Sequence, residues 1–238
     1  MSAISNFMTQ RHIWILLLIP GCILLVSLSI NPETDPMHYR GLRALFSLLF
    51  CICLFFLDFS KNNLLKLHLL FYGLSSFLTI WFEIKWTGIS SMVINFLAIL
   101  FLIRLVLSKL EWKKMSTIFL TGLIIVVFVN ALLLYQFVEI LWQSADSKYE
   151  ILSIAGLSVA FFVLTVLAFI YNNEVNNAKS LTLIFAAIFL IVAEIFRGTG
   201  HYAIIDPIFS QYIARSLLVI GGALIYHFGY LELKDKPL

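Results

Sequence analysis

The stretch LTLIFAAIFLIVAEIFRGTGHYAI, residues 181–204, decides the fold. From Leu181 to Ala193 it offers water almost nothing, Thr182 being its one polar side chain. Extended to Ile204, the run has the length, about 20 residues, that a helix needs to cross the ~30 Å hydrocarbon layer of a bilayer. Glu194, Arg197 and His201 then follow at i, i+3 and i+7, on one face of that helix. Ionisable groups at such depth are expensive, so this face must meet protein or an enclosed cavity rather than lipid.

The rest of the chain repeats the apolar pattern. Runs at Ile13–Ile30, Leu42–Phe59, Leu64–Phe82, Trp86–Leu107, Met115–Trp142, Ile151–Tyr171 and Tyr212–Leu231 join Leu181–Ile204. The expectation is an all-α polytopic membrane protein, a bundle of about eight transmembrane helices, with residues 1–238 forming a single transmembrane domain. Composition agrees: the 238 residues are 61% hydrophobic and 12% charged, against roughly 25% charged for soluble domains. Such a chain lacks a polar coat. The first run follows Arg11 but has the length of a span, longer than a signal-peptide core. Short breaks at Ser60–Asn63 and Glu83–Lys85 imply antiparallel hairpins, whereas Asn31–Pro36, Ser144–Glu150 and Asn172–Lys179 read as turn-rich loops.

Cation placement orients the bundle. With eight spans, Arg11, Lys61, Lys66, Arg104, Lys109, Lys113, Lys114, Lys179, Lys234 and Lys236 share the face of the two termini, while Arg40, Arg43, Lys85 and Lys148 lie opposite. The positive-inside rule then puts both termini in the cytoplasm, and a bacterial inner membrane is the expected location. Trp86, Trp112 and Trp142 fall at span ends, as interfacial anchors do. The net charge of +3 thus reports orientation and does not suggest nucleic acid. Cys22, Cys51 and Cys53 lie in apolar runs and read as small buried hydrophobes. Cys51 and Cys53, two residues apart, project about 200° from each other on a helix and form no metal pair.

A polar pocket in the outer half of the bilayer follows from the seventh and eighth spans. The eighth opens with Gln211, Tyr212 and Arg215, at the depth of Glu194, Arg197 and His201. Arg40, Arg43, Glu83, Tyr135, Gln136 and Glu139 are other outer-half groups available to close it. Two readings stand side by side: Glu194–Arg197 and Glu139–Arg215 as structural ion pairs, or a functional site in which His201 and several carboxylates converge. His68 and His227 read as interfacial side chains with solvated tips, Asp58 as a solvated group, Asn95 and Asn130 as interhelical hydrogen-bonding groups, and Gly221, Gly222 and Gly229 as a small-residue packing surface. No zinc-protease His-Glu-x-x-His, nucleophile elbow or phosphate-cradling glycine loop occurs, and no cofactor or metal is called for.

The order and lengths of the spans resemble the YhhN, or lysoplasmalogenase-like, family of eight-helix membrane proteins. The likeness is carried by Leu181–Ile195, similar to the family's seventh helix with Ala193-Glu194 in place of its Ser-Asp pair. It is carried also by Gln211-Tyr-Ile-Ala-Arg-Ser-Leu-Leu-Val-Ile-Gly, similar to a closing Tyr-x-x-Ala-Gln helix with Arg215 at the Gln. Leu70-Phe-Tyr-Gly-Leu-Ser-Ser stands where the family has Leu-Gly-Asp, so Ser75 or Ser76 replaces an Asp. The resemblance implies hydrolysis of the vinyl ether of lysoplasmalogens, releasing an aldehyde and a glycerophospho-head group. It carries over Glu194 alone for the acid/base role, to which the outer-half pocket adds Glu139 and His201 as further acid/base candidates and Arg197, Arg215 and Tyr212 as groups for the head group. Membrane lipids are the implied partners, with a lysophospholipid as substrate or ligand. The alternatives are a non-catalytic lipid-binding or sensory membrane protein and a small-molecule carrier, the last without the paired broken helices carriers use.

Reporter fusions test the topology. Fusions active only in the cytoplasm should be active at both termini, and an external C-terminus would require an odd number of spans and dismantle the outer-half pocket.

Overall fold

The computed structural model describes residues 18, 20–26, 28–30, 35–56, 62–111, 115–144, 147–202 and 206–234. Among them there is no strand. The helices are α1 (20–26), α2 (Pro36–Phe56), α3 (Asn63–Leu78), α4 (Lys85–Leu107), α5 (Thr117–Ser144), α6 (Lys148–Val175), α7 (Ala178–His201) and α8 (Pro207–Lys234). Six segments, Asn63–Trp81, Lys85–Leu107, Thr117–Ile140, Lys148–Val175, Ala178–His201 and Pro207–Glu232, are long and apolar enough to cross a membrane. The first two expected spans, Ile13–Ile30 and Leu42–Phe59, run into residues outside the described set, which also holds Arg11, Asp58, Lys61, Trp112, Lys113, Lys114 and Lys236.

Local chemistry sets the helix ends. Asn62 accepts a hydrogen bond from Leu64 N at 3.0 Å and starts α3, as Ser147 does for α6 through Glu150 N. Between α6 and α7 the expected loop Asn172–Lys179 shrinks to Asn176 and Asn177. Asn176 ends α6 in the left-handed conformation, φ 45°, which asparagine tolerates better than most residues. Asn177 caps α7 through Ser180 N at 2.9 Å while Ser180 Oγ accepts from Asn177 N at 3.1 Å, a reciprocal capping box. The loop expected at Ser144–Glu150 shortens likewise, because polar side chains that break an apolar run are still good helix termini.

The hairpin across Glu83–Lys85 is as expected. A 3-10 turn, Thr79–Trp81, closes α3, Ile84 N bonds Trp81 O at 3.1 Å, and α3 and α4 pack side by side. α7 and α8 form the most extensive pair, and α5 packs chiefly on α6. Core positions include Ala98, Leu102 and Val106 of α4, Leu164 and Ala168 of α6, and Leu183, Ala186, Ala187 and Ala193 of α7. Glycines bring α8 close to its neighbours, as expected: a Cβ at Gly221 would sit 3.0 Å from Leu190, and one at Gly229 would meet Leu65 at 2.5 Å.

Polar groups in the interior depart from the sequence reading. His68 is 2% exposed, donates Nδ1–H to Ala98 O at 2.8 Å and stacks on Tyr72. It is a core group, because α4 covers the face that span counting had assigned to the interface. Asn130 donates to Val126 O of its own helix, and Asn95 is buried with neither amide atom hydrogen-bonded, so neither makes the interhelical bond expected. Ser75 and Ser91 do: each hydroxyl donates to the other's carbonyl, at 2.8 and 3.0 Å, and Ser47 donates to Ser76 at 2.9 Å. His227 is half-buried beside Tyr230, and Cys22 is exposed rather than buried. Trp86 and Trp142 are exposed, 66% and 67%, consistent with an anchoring role.

A Cβ at Gly200 would lie 2.8 Å from Ser210 Cβ, an atom fixed to the α8 backbone. Gly200→Ala should therefore push α7 from α8 and cost about 1–3 kcal/mol, read as a lowered Tm of the detergent-solubilised protein.

Candidate functional site

One cavity of about 410 Å3 occupies the end of the bundle where α3, α5 and α7 finish and α2, α4, α6 and α8 begin. Its volume falls in the range of small-molecule sites. Its lining is graded. Near the helix ends it carries Arg40, Glu194, Arg197, His201, Tyr202, Gln211 and Arg215. Further from the helix ends it carries Ile23 of α1, Phe46 of α2, Tyr72 of α3, Met92 of α4, Leu157 and Phe161 of α6, Ile191 of α7 and Leu218 of α8, with Asn130 and Ser158 as polar members. One end is thus cationic and hydrogen-bonding, the other apolar and aromatic.

Helical spacing builds the polar end. Glu194, Arg197 and His201 share the face of α7 that the sequence predicts, and all three line the cavity with Arg215 of α8. Glu194 Oε2 pairs with Arg197, and the Glu194 carboxylate is largely buried. Its Oε1 is buried with no hydrogen-bond partner, a costly state for a carboxylate oxygen. Arg215 is 6% exposed, with its guanidinium 5.6 Å from the Tyr212 ring centroid. Tyr212 itself does not line the cavity; its hydroxyl donates to Ile30 O at 3.1 Å and ties the chain after α1 to α8.

Other members were less visible in the sequence. Glu150, assigned there to a loop, lies in the first turn of α6 and accepts from Tyr202 OH at 2.5 Å, with His201 Nε2 4.0 Å away. An acidic residue after the capping Ser147 was the available signal. Phe82 packs edge-on against His201 with centroids 5.0 Å apart. Arg40, an outer-half candidate, lines the cavity and pairs with Glu83 at its mouth. Glu139, Tyr135 and Gln136 are exposed on α5 outside the lining, and α5 contributes Asn130, Leu134 and Phe137 instead. In the second expected pair, Glu139–Arg215, Glu139 is exposed and outside the lining whereas Arg215 is buried and part of it. Among the described residues, no three His, Cys, Asp or Glu side chains converge as metal ligands.

The arrangement can hold an amphiphile: guanidinium groups suit an oxyanion through charge-assisted hydrogen bonds, and the apolar extension suits a chain. Comparison with protein families, with characterised proteins and with solved structures finds no match to the chain.

At the mouth, partial burial pushes the Glu83 carboxyl up. The hydrogen bond from Arg40, one from its own backbone and the charges of Arg40 and His201 outweigh this and hold it below its ordinary value. The pair therefore stabilises the fold fully above the unfolded-state value, about 4.3, and loses its effect as pH falls through the lower folded-state value. With the Glu83 side chain 65% exposed, the contribution is small. Glu83→Gln should lower Tm slightly at pH 7, and the difference from wild type should shrink as pH falls below the unfolded-state value and through the lower folded-state one.

Proposed function

We propose that the chain is a multi-pass membrane protein with eight spans and cytoplasmic termini, and that its cavity holds a single-chain phospholipid. Arg197 and Arg215 take the phosphate, and the apolar extension takes the acyl or alkyl chain. The graded lining of the one cavity carries this reading: a cationic end continuous with an apolar one complements an anionic head continuous with a hydrocarbon tail. The six long apolar helices support membrane residence, and the ten-to-four division of cations supports the orientation. A bacterial inner membrane is the corresponding location.

A second reading, vinyl-ether hydrolysis of a bound lysoplasmalogen, is favoured by the presence of Glu194 and His201 on the same cavity wall. In that reaction an acid delivers a proton to the β-carbon of the vinyl ether, and water adds to the resulting oxocarbenium. The hemiacetal then collapses, its C–O bond to glycerol breaks, and the proton returns to the departing alkoxide. The products are a long-chain aldehyde and a glycerophospho-alcohol. Glu194 is the group for the first proton and His201 for accepting one from water. Glu139, outside the lining, has no role in this scheme, and Tyr212 acts only by orienting Arg215.

Binding and chemistry separate by experiment. A single-chain phospholipid should bind the purified protein, and Arg197→Ala should weaken it about tenfold or more, the scale of a charge-assisted hydrogen bond. Arg197→Lys should lose less. If the second reading holds, lysoplasmalogen releases aldehyde from wild type and none from Glu194→Gln. Retention of lipid without aldehyde leaves the binding function alone, and no retention by wild type removes both.

A further inference from the structure

The cavity wall is unequal around its circumference. On the α7–α8 side it is backed by the most extensive helix pair of the bundle. On the α5 side it is one side chain thick. The first half of α5 is anchored, with Phe119 and Leu123 packed against the core. The second half bears Asn130, Leu134 and Phe137 on the cavity and exposes its opposite face, Leu132 at 50% and Tyr135 at 68%. Among the described residues of the apolar stretch of α5, none is fully buried.

Between this half-helix and α7 the seam is bridged by the ring of Phe137. Phe137 lies over Gly198, where an added Cβ would come 3.1 Å from Phe137 Cζ. Gly198 sits between Arg197 and His201 in sequence, so the ring covers the cavity at the level of its cationic groups. A glycine here lets an aromatic edge seat against the backbone of α7, and that edge is the flexible end of a side chain with two rotatable bonds.

We infer that the seam between α5 and α7, closed by Phe137 on Gly198, is the lateral port through which a single-chain lipid passes between the membrane and the cavity. This rests on the proposed lipid-binding function and adds the source of the ligand: it arrives already dissolved in the bilayer, its chain sliding between the helices while its head stays at the depth of Arg197. A ligand taken from water would instead enter past Glu83 and Arg40 at the mouth, leaving the seam shut. Swinging the Phe137 ring away opens the seam without disturbing Phe119 or Leu123, so the anchored half of α5 acts as the fixed side of the door.

The port is tested with a single-chain glycerophospholipid bearing a fluorophore at its chain end, exchanged between phosphatidylcholine vesicles containing the full-length protein and empty acceptor vesicles. Phe137→Ala should raise both the binding and the release rate by about tenfold. Phe137→Cys with Gly198→Cys, bridged by a short bis-methanethiosulfonate, which forms a disulfide with each cysteine and releases methanesulfinate, should slow both rates at least tenfold, and reduction of those disulfides should restore them. Phe137→Leu, which keeps an apolar cover, guards against misfolding of the alanine variant and should give intermediate rates. Binding with rates unchanged in Phe137→Ala and in the bridged protein overturns the port and leaves the binding function standing. Rates that respond instead to Glu83→Gln and Arg40→Gln overturn it in favour of the aqueous mouth. Absence of binding in wild type overturns the function on which the port rests.

Discussion

A charge placed among apolar helices must be met by an opposite charge or a hydrogen bond, and the ends of this bundle are organised by that requirement. Arg197 meets Glu194 within one turn of α7, Arg40 meets Glu83 across the α3–α4 turn, and Tyr202 meets Glu150 across α6 and the end of α7. These pairings link four segments, α2, the α3–α4 turn, α6 and the end of α7, at one end of the molecule. The grading of the cavity follows from the same constraint: its charged lining stays near the helix ends, and further inward the lining is mostly apolar, with Asn130 and Ser158 as neutral polar exceptions. Ion pairs of this kind are poor sources of net stability. Their effect here is to fix where helices end and which faces turn inward.

The opposite end answers the constraint differently. Glu232 of α8, 7% exposed, pairs with Lys109 after α4 and accepts from Asn62 Nδ2 at 3.2 Å, while the same Asn62 caps α3 through its oxygen. Glu174 at the end of α6 accepts from Glu111 N at 3.0 Å. The Glu232 carboxylate thereby ties together three helix ends. Among the described helices that pack on neighbours, α5 has the least extensive packing, chiefly on α6.

Much of this was legible in the sequence, and what was not has physical reasons. The apolar runs and the shared face of Glu194, Arg197 and His201 could be read because hydropathy and 3.6-residue periodicity are properties of the chain itself. Arg215 could be placed at the same depth by counting. Rotation of one helix against another could not: Glu139 has the right depth but lies on the exposed side of α5, and Phe137, two residues away, lines the cavity instead. His68 was misassigned for the same reason, since nothing in its own run tells that α4 will cover it. Glu150 was lost because polar residues between apolar runs read as loop, although they serve as the first turn of a helix once Ser147 caps it.

The two-residue turn at Asn176–Asn177 bears on how the chain is made. A helix entering hydrocarbon alone must bring its bare terminal amides and carbonyls with it, and each is costly out of water. Here Asn176 closes α6, and Asn177 with Ser180 satisfies the first amides of α7, so the turn depends on residues 172–180 and on no later helix. α8 then seats on α7 where Gly221 leaves room for Leu190.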